Sequence, residues 1–410
     1  MFIKEAIPSY VKNSRGRRSI QIKLVTYEGR FSASAPSGKS TGKSEVACYN
    51  SRGIEYSMRM LKIFCKKLKD KNFIIKRIDD IKQLNVLMDK FEKRYGKFGG
   101  NVYFAIEAAF LKAASADTGR ELWKFINDDI NKGRKPKMPM PVGNCIGGGL
   151  HSKKIKNRRP DFQEFLLIPK EKTYARAVTL NLRAYEYARK LLKARSKNDE
   201  SAWMTPKTNE EVLEIIRKVA DKYKLRIGLD IAASAFYDKK YYEYKNKKLT
   251  RDKVDQADYI EQIVKKFKIF YVEDPMDEND FGGFTEVLNA VSKNKTKSLI
   301  VGDDLTTTNP RRVERAIKAK SINAMIIKVN QIGSILKVKK VVELCQKKNI
   351  TMIFSHRSGE TFDDTLADYC VGFGGQFMKS GIYGKERLIK IKRVIDIEKS
   401  LKNLQHCRSK

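Results

Sequence analysis

The sequence predicts an α/β protein in which an N-terminal α+β cap domain, residues 1–135, precedes a (β/α)8 barrel over residues 136–410. Three observations support this fold class. The apolar residues of the first third change from a two-residue to a helical spacing. The remaining two thirds contain at least seven short apolar runs separated by helix-like segments. A barrel of about 250 residues plus a cap also accounts for the chain length of 410 residues.

The cap is predicted to begin with strands and to continue with helices. Residues 2–36 alternate apolar and polar side chains around a turn signal at Glu28-Gly29, as a hairpin or meander does. From about 54 to 127 the apolar spacing lengthens to that of amphipathic helices. The segment 131–141 carries three prolines and four basic residues, which is typical of a linker.

The barrel is predicted from apolar runs that read as strands buried on both faces. Parallel strands covered by helices lack polar alternation, and a helix between consecutive strands gives βα units. The runs cover residues 162–169, 226–233, 267–275, 298–305, 324–331, 350–359 and 374–381.

The composition limits the classes of protein. Lys and Arg number 85 against 48 Asp and Glu, a formal charge of +37, which first suggests nucleic acid or an acidic membrane as a partner. Hydrophobic residues make up 41%, so a wholly disordered basic protein is excluded. The six cysteines form no C-x-x-C pair, and no apolar stretch reaches membrane-spanning length. We therefore expect a cytoplasmic protein without a membrane partner.

Charged residues end nearly every apolar run. They are Asp230, Glu273 with Asp274, Asp303 with Asp304, Lys328, His356-Arg357-Ser358 and Lys379. Such residues are also found wherever a strand enters a solvated loop. Three successive carboxylates followed by basic groups instead favour a site, because the carboxyl ends of barrel strands meet at one mouth.

The order of these groups indicates a chemistry. Asp230, Glu273 and Asp303 would repel one another and raise each other's pKa unless a cation lay between them. Oxygen donors favour Mg²⁺ over Zn²⁺. Burial and cationic neighbours lower a lysine pKa, so Lys328 is a candidate general base. A metal ion and a lysine base suit removal of the weakly acidic proton α to a carboxylate.

The segment PSGKSTGKSE, residues 36–45, resembles a phosphate-binding P-loop only superficially. The two possible frames of G-x-x-x-x-G-K-[ST] need glycine at 37 or 33, and Ser37 and Ala33 stand there. We interpret the segment as a flexible loop over an active site, although an ordinary turn has the same composition.

Several longer strings, spread almost from end to end, carry a family resemblance. They are Ser14-Arg15-Gly16, the loop 36–42, Gly147-Gly148-Gly149 with His151, Gln163-Glu164-Phe165, Asn198-Asp199-Glu200, Glu273-Asp274-Pro275, Lys328-Val329-Asn330-Gln331-Ile332-Gly333 and Ser355-His356-Arg357-Ser358-Gly359-Glu360. Together they resemble the enolase (phosphopyruvate hydratase) family, including its archaeal-type members. The last two strings are highly specific, whereas any single short motif would not be.

The resemblance implies a lyase of glycolysis and gluconeogenesis that reversibly dehydrates 2-phosphoglycerate to phosphoenolpyruvate with two Mg²⁺ per active site. A lysine base paired with Mg²⁺ is a known feature of enolase-superfamily chemistry. The implied metal ligands are Asp230, Glu273, Asp303 and, for the second ion, Ser40. The implied catalytic residues are the base Lys328, the acid Glu200 and its helper Glu164. The implied substrate-binding residues are His151, His356, Arg357, Ser358 and Lys379.

The sequence departs from the usual family pattern in places. Ser201-Ala202 stands where paired glycine is usual after the acid, which predicts a stiffer loop around Glu200. The resemblance implies a homodimer or larger assembly, yet the usual inter-subunit ion pair is missing, with Gln21 and Asp396 near its places. The dimer would then use other contacts or would not form.

Two alternative functions stay open at this point. One is another enolase-superfamily enzyme that acts on a different carboxylate substrate, although the phosphate-binding pair Arg357-Ser358 argues against it. The other is an enolase-like scaffold with weak or no activity that binds RNA or another polyanion, suggested by the charge of +37. The basic residues lack the aromatic neighbours of a single-strand binding platform, so nucleic acid is not the favoured partner.

Overall fold

The computed structural model describes residues 1–38, 42, 44–152, 155, 158–293 and 297–408, with side chains described up to residue 403. The N-terminal part holds a three-stranded antiparallel meander followed by helices, as predicted. Its elements are β1 (Glu5–Lys12), β2 (Arg18–Val25), β3 (Arg30–Ser34), α1 (Ile54–Leu68), a 3-10 helix (Ile78–Ile81), α2 (Lys82–Tyr95), α3 (Gly100–Asp117) and α4 (Leu122–Ile130).

Helix α3 forms the centre of this part. The sequence FAIEAAFLKAAS is apolar on nearly every face, so the helix is buried all round instead of along one stripe. It packs on β2 and β3, where Ile20, Ile22 and Leu24 are at most 1% exposed. The two-residue alternation of β2 thus places one face of the meander against α3.

The remainder forms a closed eight-stranded barrel with helices outside it, which confirms the predicted fold class. Its elements are β4 (Met140–Gly147), β5 (Glu164–Ile168), α5 (Tyr174–Leu192), β6 (Trp203–Met204), α6 (Asn209–Tyr223), β7 (Arg226–Asp230), β8 (Tyr242–Tyr244), β9 (Leu249–Arg251), α7 (Lys253–Phe267), β10 (Ile269–Glu273), α8 (Phe281–Lys293), β11 (Leu299–Gly302), α9 (Pro310–Lys318), β12 (Ala324–Ile327), α10 (Val329–Ile332), α11 (Ile335–Lys347), β13 (Thr351–Ser355), α12 (Thr365–Gly372), β14 (Phe377–Lys379) and α13 (Lys385–Arg408). The barrel order is β4-β5-β7-β10-β11-β12-β13-β14, closed by pairing of β14 with β4.

One barrel strand runs against the expectation of an all-parallel sheet. Strand β5 is antiparallel to both β4 and β7, whereas the other barrel pairs are parallel. The connection from β4 to β5 contains only a short 3-10 helix, Gly149–Ser152, among the residues described there. A parallel return usually runs through a crossover helix, and the described residues of this connection form no α-helix; β5 pairs antiparallel with β4 instead.

The barrel interior is filled below the mouth. The side chains that meet there are Val142, Leu166, Ile168, Tyr271, Val301, Ala324, Ile326, Ile353 and Phe377. A second apolar layer lies between the strands and the surrounding helices. The packed interior leaves the carboxyl ends of the parallel strands as the place for a site.

The cap packs against the barrel through α3 and α10. Gly100 lies so close to the Asn330 carbonyl oxygen that an added Cβ would be 2.5 Å from it, which explains glycine at that position. The Asn330 side-chain amide donates to the Pro36 carbonyl at 3.1 Å and to Asn101 Oδ1 at 2.9 Å. The boundary after residue 135 stays a prediction. Within the described part of the chain, no helix has both the length and the apolar character needed to cross a bilayer.

Candidate active site

The strand ends bring most of the predicted site residues to one cavity at the barrel mouth. Asp230 and Glu273 end β7 and β10, and Asp303 and Lys328 directly follow β11 and β12. The cavity is lined by Gly38, His151, Gln163, Glu164, Glu200, Asp230, Ala232, Asp274, Asp303, Asp304, Lys328, Ser355, His356, Arg357, Ser358 and Lys379. Glu273 does not line the cavity; it lies beneath it, and Tyr271 Oη donates to its Oε2 at 2.5 Å.

Glu164 reaches this mouth because of the reversed strand. It is the first residue of β5 and pairs with Asp230 on β7 and Gly147 on β4. In an antiparallel strand the amino end lies beside the carboxyl ends of its neighbours. The orientation that the sequence did not predict is therefore what places Glu164 in the site.

Lys379 is the centre of a cluster of carboxylates. Its Nζ lies 2.8 Å from Glu273 Oε2, 3.0 Å from Asp230 Oδ2 and 3.1 Å from Glu164 Oε2. Burial works against the charge on this lysine, but Asp230, Glu164 and Glu273 together raise its pKa well above the usual value. The ammonium partly neutralises carboxylates that could not otherwise share a buried site.

Lys328 and Asp303 form a buried ion pair. Burial alone would lower the pKa of Lys328, but the Asp303 carboxylate outweighs it and raises that pKa above its ordinary value. This direction is opposite to the lowered pKa that the sequence led us to expect for a base. The physical reason is that in the protein alone the carboxylate of Asp303 serves the ammonium as its counter-charge.

Two carboxyls and two imidazoles face each other across another part of the cavity. His151 Nδ1 is 3.4 Å from Glu164 Oε1 and 3.7 Å from Glu200 Oε1, and His356 Nε2 is 3.8 Å from Glu200 Oε2. Burial raises the pKa of Glu164 to about 7. Burial also disfavours the Glu200 carboxylate, but His151 and His356 outweigh it and hold the pKa of Glu200 well below its usual value. Within this coupled pair a proton is therefore held more readily by Glu164 than by Glu200 in the free protein.

Arg357 and Ser358 follow β13 and supply cationic and hydroxyl donors. The guanidinium Nη1 donates to Asn330 Oδ1 at 3.0 Å, and Nη2 donates to Glu45 Oε2 at 2.8 Å. The buried Ser358 Oγ and His356 Nδ1 have no hydrogen-bond partner among the described residues. Leaving buried polar atoms without a hydrogen bond costs free energy. Their position at the cavity therefore indicates that a polar ligand supplies the missing hydrogen bonds.

The donor set fits a hard divalent cation. Burial and the nearby Asp230 raise the pKa of Glu273 well above its usual value, and burial with Asp303 raises that of Asp304 to about 7. Carboxyls that resist ionisation in this way are relieved by positive charge. Among the described residues, ligand atoms converge within 4.8 Å in two groups, Asp274-Asp303-Asp304 and His151-Glu164-Glu200. The predicted trio of Asp230, Glu273 and Asp303 is not one of these groups, because Lys379 lies between two of its members.

Comparison with known proteins decides the family. The family model "Enolase, N-terminal domain" matches residues 3–126, and "Enolase, C-terminal TIM barrel domain" matches residues 135–408. The enolase of Picrophilus torridus is 36% identical over 415 aligned residues, which cover 97% of this chain and 99% of the relative. The enolases of Thermoplasma acidophilum and Methanothermobacter thermautotrophicus are 33% and 32% identical, covering 97% and 95% of this chain and 98% and 95% of each relative.

The chain belongs to the enolase family. It is accordingly an enzyme, a lyase of the phosphopyruvate hydratase type, and the resemblance stated from its motifs is confirmed. Divalent metal binding follows from the family and agrees with the acidic groups at the mouth. The predicted ligand Ser40 lies outside the described residues.

This enolase accommodates its unusual acid loop through side-chain hydrogen bonds. Asn198 Oδ1 accepts from the backbone N–H groups of Glu200 at 2.9 Å and Ala202 at 3.0 Å. Ser201 takes a left-handed backbone conformation with φ of 63°, which costs a non-glycine residue about 1–2 kcal/mol. Tyr185 Oη donates to the Ser201 carbonyl at 2.5 Å and fixes this conformation.

Sequence reasoning missed several site residues of this enolase. Asn144 Nδ2 donates to Glu200 Oε2 at 3.3 Å, and Gln331 Nε2 donates to Asp303 Oδ1 at 3.4 Å. Glu45, on the cap, reaches Arg357 on the barrel. The Lys-x-Asn-Gln string already contained Gln331, and Glu45 ends the loop segment 36–45, but no spacing rule connects either residue to its partner.

Proposed function

We propose that the residues of this cavity carry out the reversible dehydration of 2-phosphoglycerate to phosphoenolpyruvate. The observation that carries the proposal is that Lys328, the Glu164–Glu200 pair, Arg357 and Lys379 all line one cavity. This places a proton acceptor, a proton donor and two anion-binding cations around the same small space. Neither alternative function calls for all of these groups together.

Each group has one task in this reaction. Arg357 and Ser358 bind the phosphate, because a guanidinium fork matches phosphate oxygens. Lys379 pairs with the substrate carboxylate, while His151 and His356 line the pocket around the acid. These contacts hold C2 towards Lys328 and the C3 hydroxyl towards Glu200.

The proposed reaction is an elimination of water. Neutral Lys328 Nζ takes the proton from C2, and the electrons of that bond are first held by the adjacent carboxylate as an enolate. They then form the C2–C3 double bond as the C3 hydroxyl departs. Glu200, assisted by Glu164, gives the departing hydroxyl its proton, and water leaves. In the reverse direction Lys328 returns the proton to C2 and the acid pair regains its own.

We propose two Mg²⁺ ions, one held by Asp230, Glu273 and Asp303, and the second held in part by Ser40. Bound there, Mg²⁺ would supply positive charge beside the substrate carboxylate, where negative charge develops when the C2 proton is removed. The all-oxygen donor set and the raised pKa of Glu273, caused by burial and Asp230, support this assignment.

The test of the function is a spectrophotometric assay of the full chain. We expect phosphoenolpyruvate absorbance to appear from 2-phosphoglycerate when Mg²⁺ is present, to stop when a chelator is added, and to return with excess Mg²⁺. An acid sugar or another non-phosphorylated 2-hydroxy acid should give no product. The proposal would be refuted if turnover continued in the presence of the chelator, or if one of these non-phosphorylated acids were the better substrate.

We also propose the finer organisation implied by the resemblance. The enzyme is a cytoplasmic homodimer or larger assembly, divided into a cap of residues 1–135 and a barrel of residues 136–410. The five cysteines whose side chains are described are free thiols, which supports a reducing compartment. Size-exclusion chromatography with light scattering tests the assembly, and a monomer would refute it.

A further inference from the structure

We propose that Glu45 is a positioning residue that fixes the Arg357 guanidinium for the substrate phosphate. The proposal rests on the proposed function, in which Arg357 binds that phosphate. Glu45 belongs to the cap and Arg357 to the barrel, 312 positions apart in the sequence. The contact therefore makes phosphate recognition depend on how the two parts of the chain are held together.

The Glu45–Arg357 ion pair is buried and well aligned. Arg357 Nη2 donates to Glu45 Oε2 at 2.8 Å, and the two side chains are only 3% and 4% exposed. The other terminal nitrogen, Nη1, donates to Asn330 Oδ1 at 3.0 Å. Two acceptors, one from each part of the chain, thus set the plane of the guanidinium while it lines the cavity. Burial disfavours the charge on Arg357, but Glu45 outweighs it and raises the pKa of the guanidinium.

The groups around Glu45 are hydrogen-bond donors, which a carboxylate satisfies better than an amide. Glu45 Oε1 accepts from the Gly42 backbone N–H at 3.0 Å and from Gln331 Nε2 at 3.1 Å, while Oε2 accepts from Arg357. All three partners are donors. A glutamine would turn its amide group towards one of them, so either Arg357 or the Gly42–Gln331 side would lose its acceptor.

The same cap segment is anchored to the phosphate-binding loop at a second point. Ser37 N–H donates to the Gly359 carbonyl at 2.8 Å, and Gly359 N–H donates to the Ser37 carbonyl at 2.9 Å. A Cβ at Gly359 would lie 2.6 Å from Ser37 Oγ, so only glycine allows this approach. Ser37 and Glu45 therefore both hold the loop that carries Arg357, and Glu45 does so through the guanidinium itself.

Two possible roles of Glu45 predict opposite changes in the affinity for phosphate. If Glu45 competed with the phosphate for Arg357, removing its charge would strengthen phosphate binding. If it positions the guanidinium, removing its charge weakens binding, because Arg357 loses one of its two fixed acceptors. Binding measurements distinguish these outcomes directly.

The experiment compares Glu45→Gln with the matched control Glu92→Gln in the full, Mg²⁺-loaded chain. Glu92 is also a buried glutamate of the cap; it pairs with Lys97 at 2.8 Å and accepts from Phe98 N–H at 2.8 Å, away from the cavity. We measure KM and kcat for 2-phosphoglycerate, and Ki for inorganic phosphate as a competitive inhibitor. We expect Glu45→Gln to raise KM and Ki in parallel by about tenfold, and Glu92→Gln to change both less than twofold.

A third variant, Glu45→Asp, keeps the charge and both acceptor oxygens but shortens the reach. It is expected to give a smaller rise in KM than Glu45→Gln, and it serves as the test if Glu45→Gln does not fold. Unchanged or lowered KM and Ki in Glu45→Gln would overturn the proposal, as would Glu45→Asp with binding as weak as Glu45→Gln. A wild-type chain without turnover would instead refute the proposed function.

Discussion

Lys328 and Asp303 form the ion pair that sets the protonation state of the proposed base. The structure gives Lys328 a raised pKa, since Asp303 outweighs the effect of burial. A lysine must be neutral to accept a proton. Asp303 must therefore pair with another cation before Lys328 can lose its own proton and act as a base. In the proposed mechanism the metal site and the base are linked through one carboxylate, and sequence spacing could place both residues but not reveal this competition.

Glu107 makes a prediction at the residue scale that is independent of the active site. This glutamate of α3 accepts from the Ile335 backbone N–H at 2.7 Å, and burial raises its pKa to about 7 from an ordinary value of 4.5. The unfolded chain releases the proton above pH 4.5, whereas the folded chain keeps it until about pH 7. The free energy of unfolding should therefore fall as the pH rises through this window, by roughly 3 kcal/mol from this group.

The measurement is urea unfolding of the wild type and Glu107→Gln between pH 4.5 and 8. The amide keeps an acceptor oxygen for the Ile335 N–H and does not ionise, so it stands in for the protonated form of Glu107 at every pH. The variant should gain stability relative to the wild type as the pH rises. A difference between the two that is independent of pH would contradict the raised pKa of Glu107.

The acid loop and helix α5 provide a prediction at the scale of elements. Tyr185 on α5 holds the Ser201 carbonyl, and so the turn next to Glu200, through its hydroxyl. Tyr185→Phe removes this hydrogen bond and leaves the ring stacked on Trp203 at 4.9 Å. We expect kcat to fall by about three- to tenfold, because the acid is held less firmly, with a loss of stability of about 1 kcal/mol.

Tyr244→Phe is the matched control for this prediction. Tyr244 on β8 donates its buried hydroxyl to Gln256 Oε1 at 2.7 Å, so its replacement also removes one buried hydrogen bond. Thermal unfolding should show similar losses of stability for both variants, while kcat should fall only for Tyr185→Phe. If Tyr185→Phe and Tyr244→Phe had the same kcat, Tyr185 would have no specific influence on the acid Glu200.

The sequence predicts features that depend on local patterns, but not those that depend on contacts between distant segments. Apolar runs and their charged ends predicted the barrel and the places of Asp230, Glu273, Asp303 and Lys328, because both follow from short-range pattern. The direction of β5 depends on the path of the β4–β5 connection in three dimensions. The apolar residues of β5 would form the same pattern in a parallel or an antiparallel strand, so the sequence does not reveal the reversal. Contacts such as that of Glu45 with Arg357 are set by packing of distant segments, for which one sequence carries no local signal.

The molecule as a whole combines a strongly basic composition with an acidic centre. The excess of 37 positive charges contrasts with the buried carboxylates that gather around Lys379 and Lys328. A net positive charge attracts anionic molecules over a distance, while the carboxylates of the centre favour cations. The net charge does not by itself indicate a nucleic-acid partner, since it also favours the approach of an anionic substrate.

Metal binding should be visible in the stability of the whole molecule. Mg²⁺ that binds only the folded chain stabilises it by about 2.7 kcal/mol at a hundred times its Kd. We expect Mg²⁺ to raise the Tm of the wild type and of Glu107→Gln by a few degrees, and to leave Glu273→Gln nearly unchanged. An equal rise in Glu273→Gln, measured by scanning calorimetry, would mean that Glu273 is not a ligand.

In the proposed mechanism Lys328 removes the C2 proton and Glu200 acts on the C3 hydroxyl. Exchange of the C2 hydrogen of 2-phosphoglycerate with deuterium from the solvent, followed by NMR, separates these steps. Glu200→Gln should lose dehydration but keep exchange at C2, whereas Lys328→Ala should lose both with its circular dichroism spectrum unchanged. Continued C2 exchange in a folded Lys328→Ala would contradict the assignment of the base.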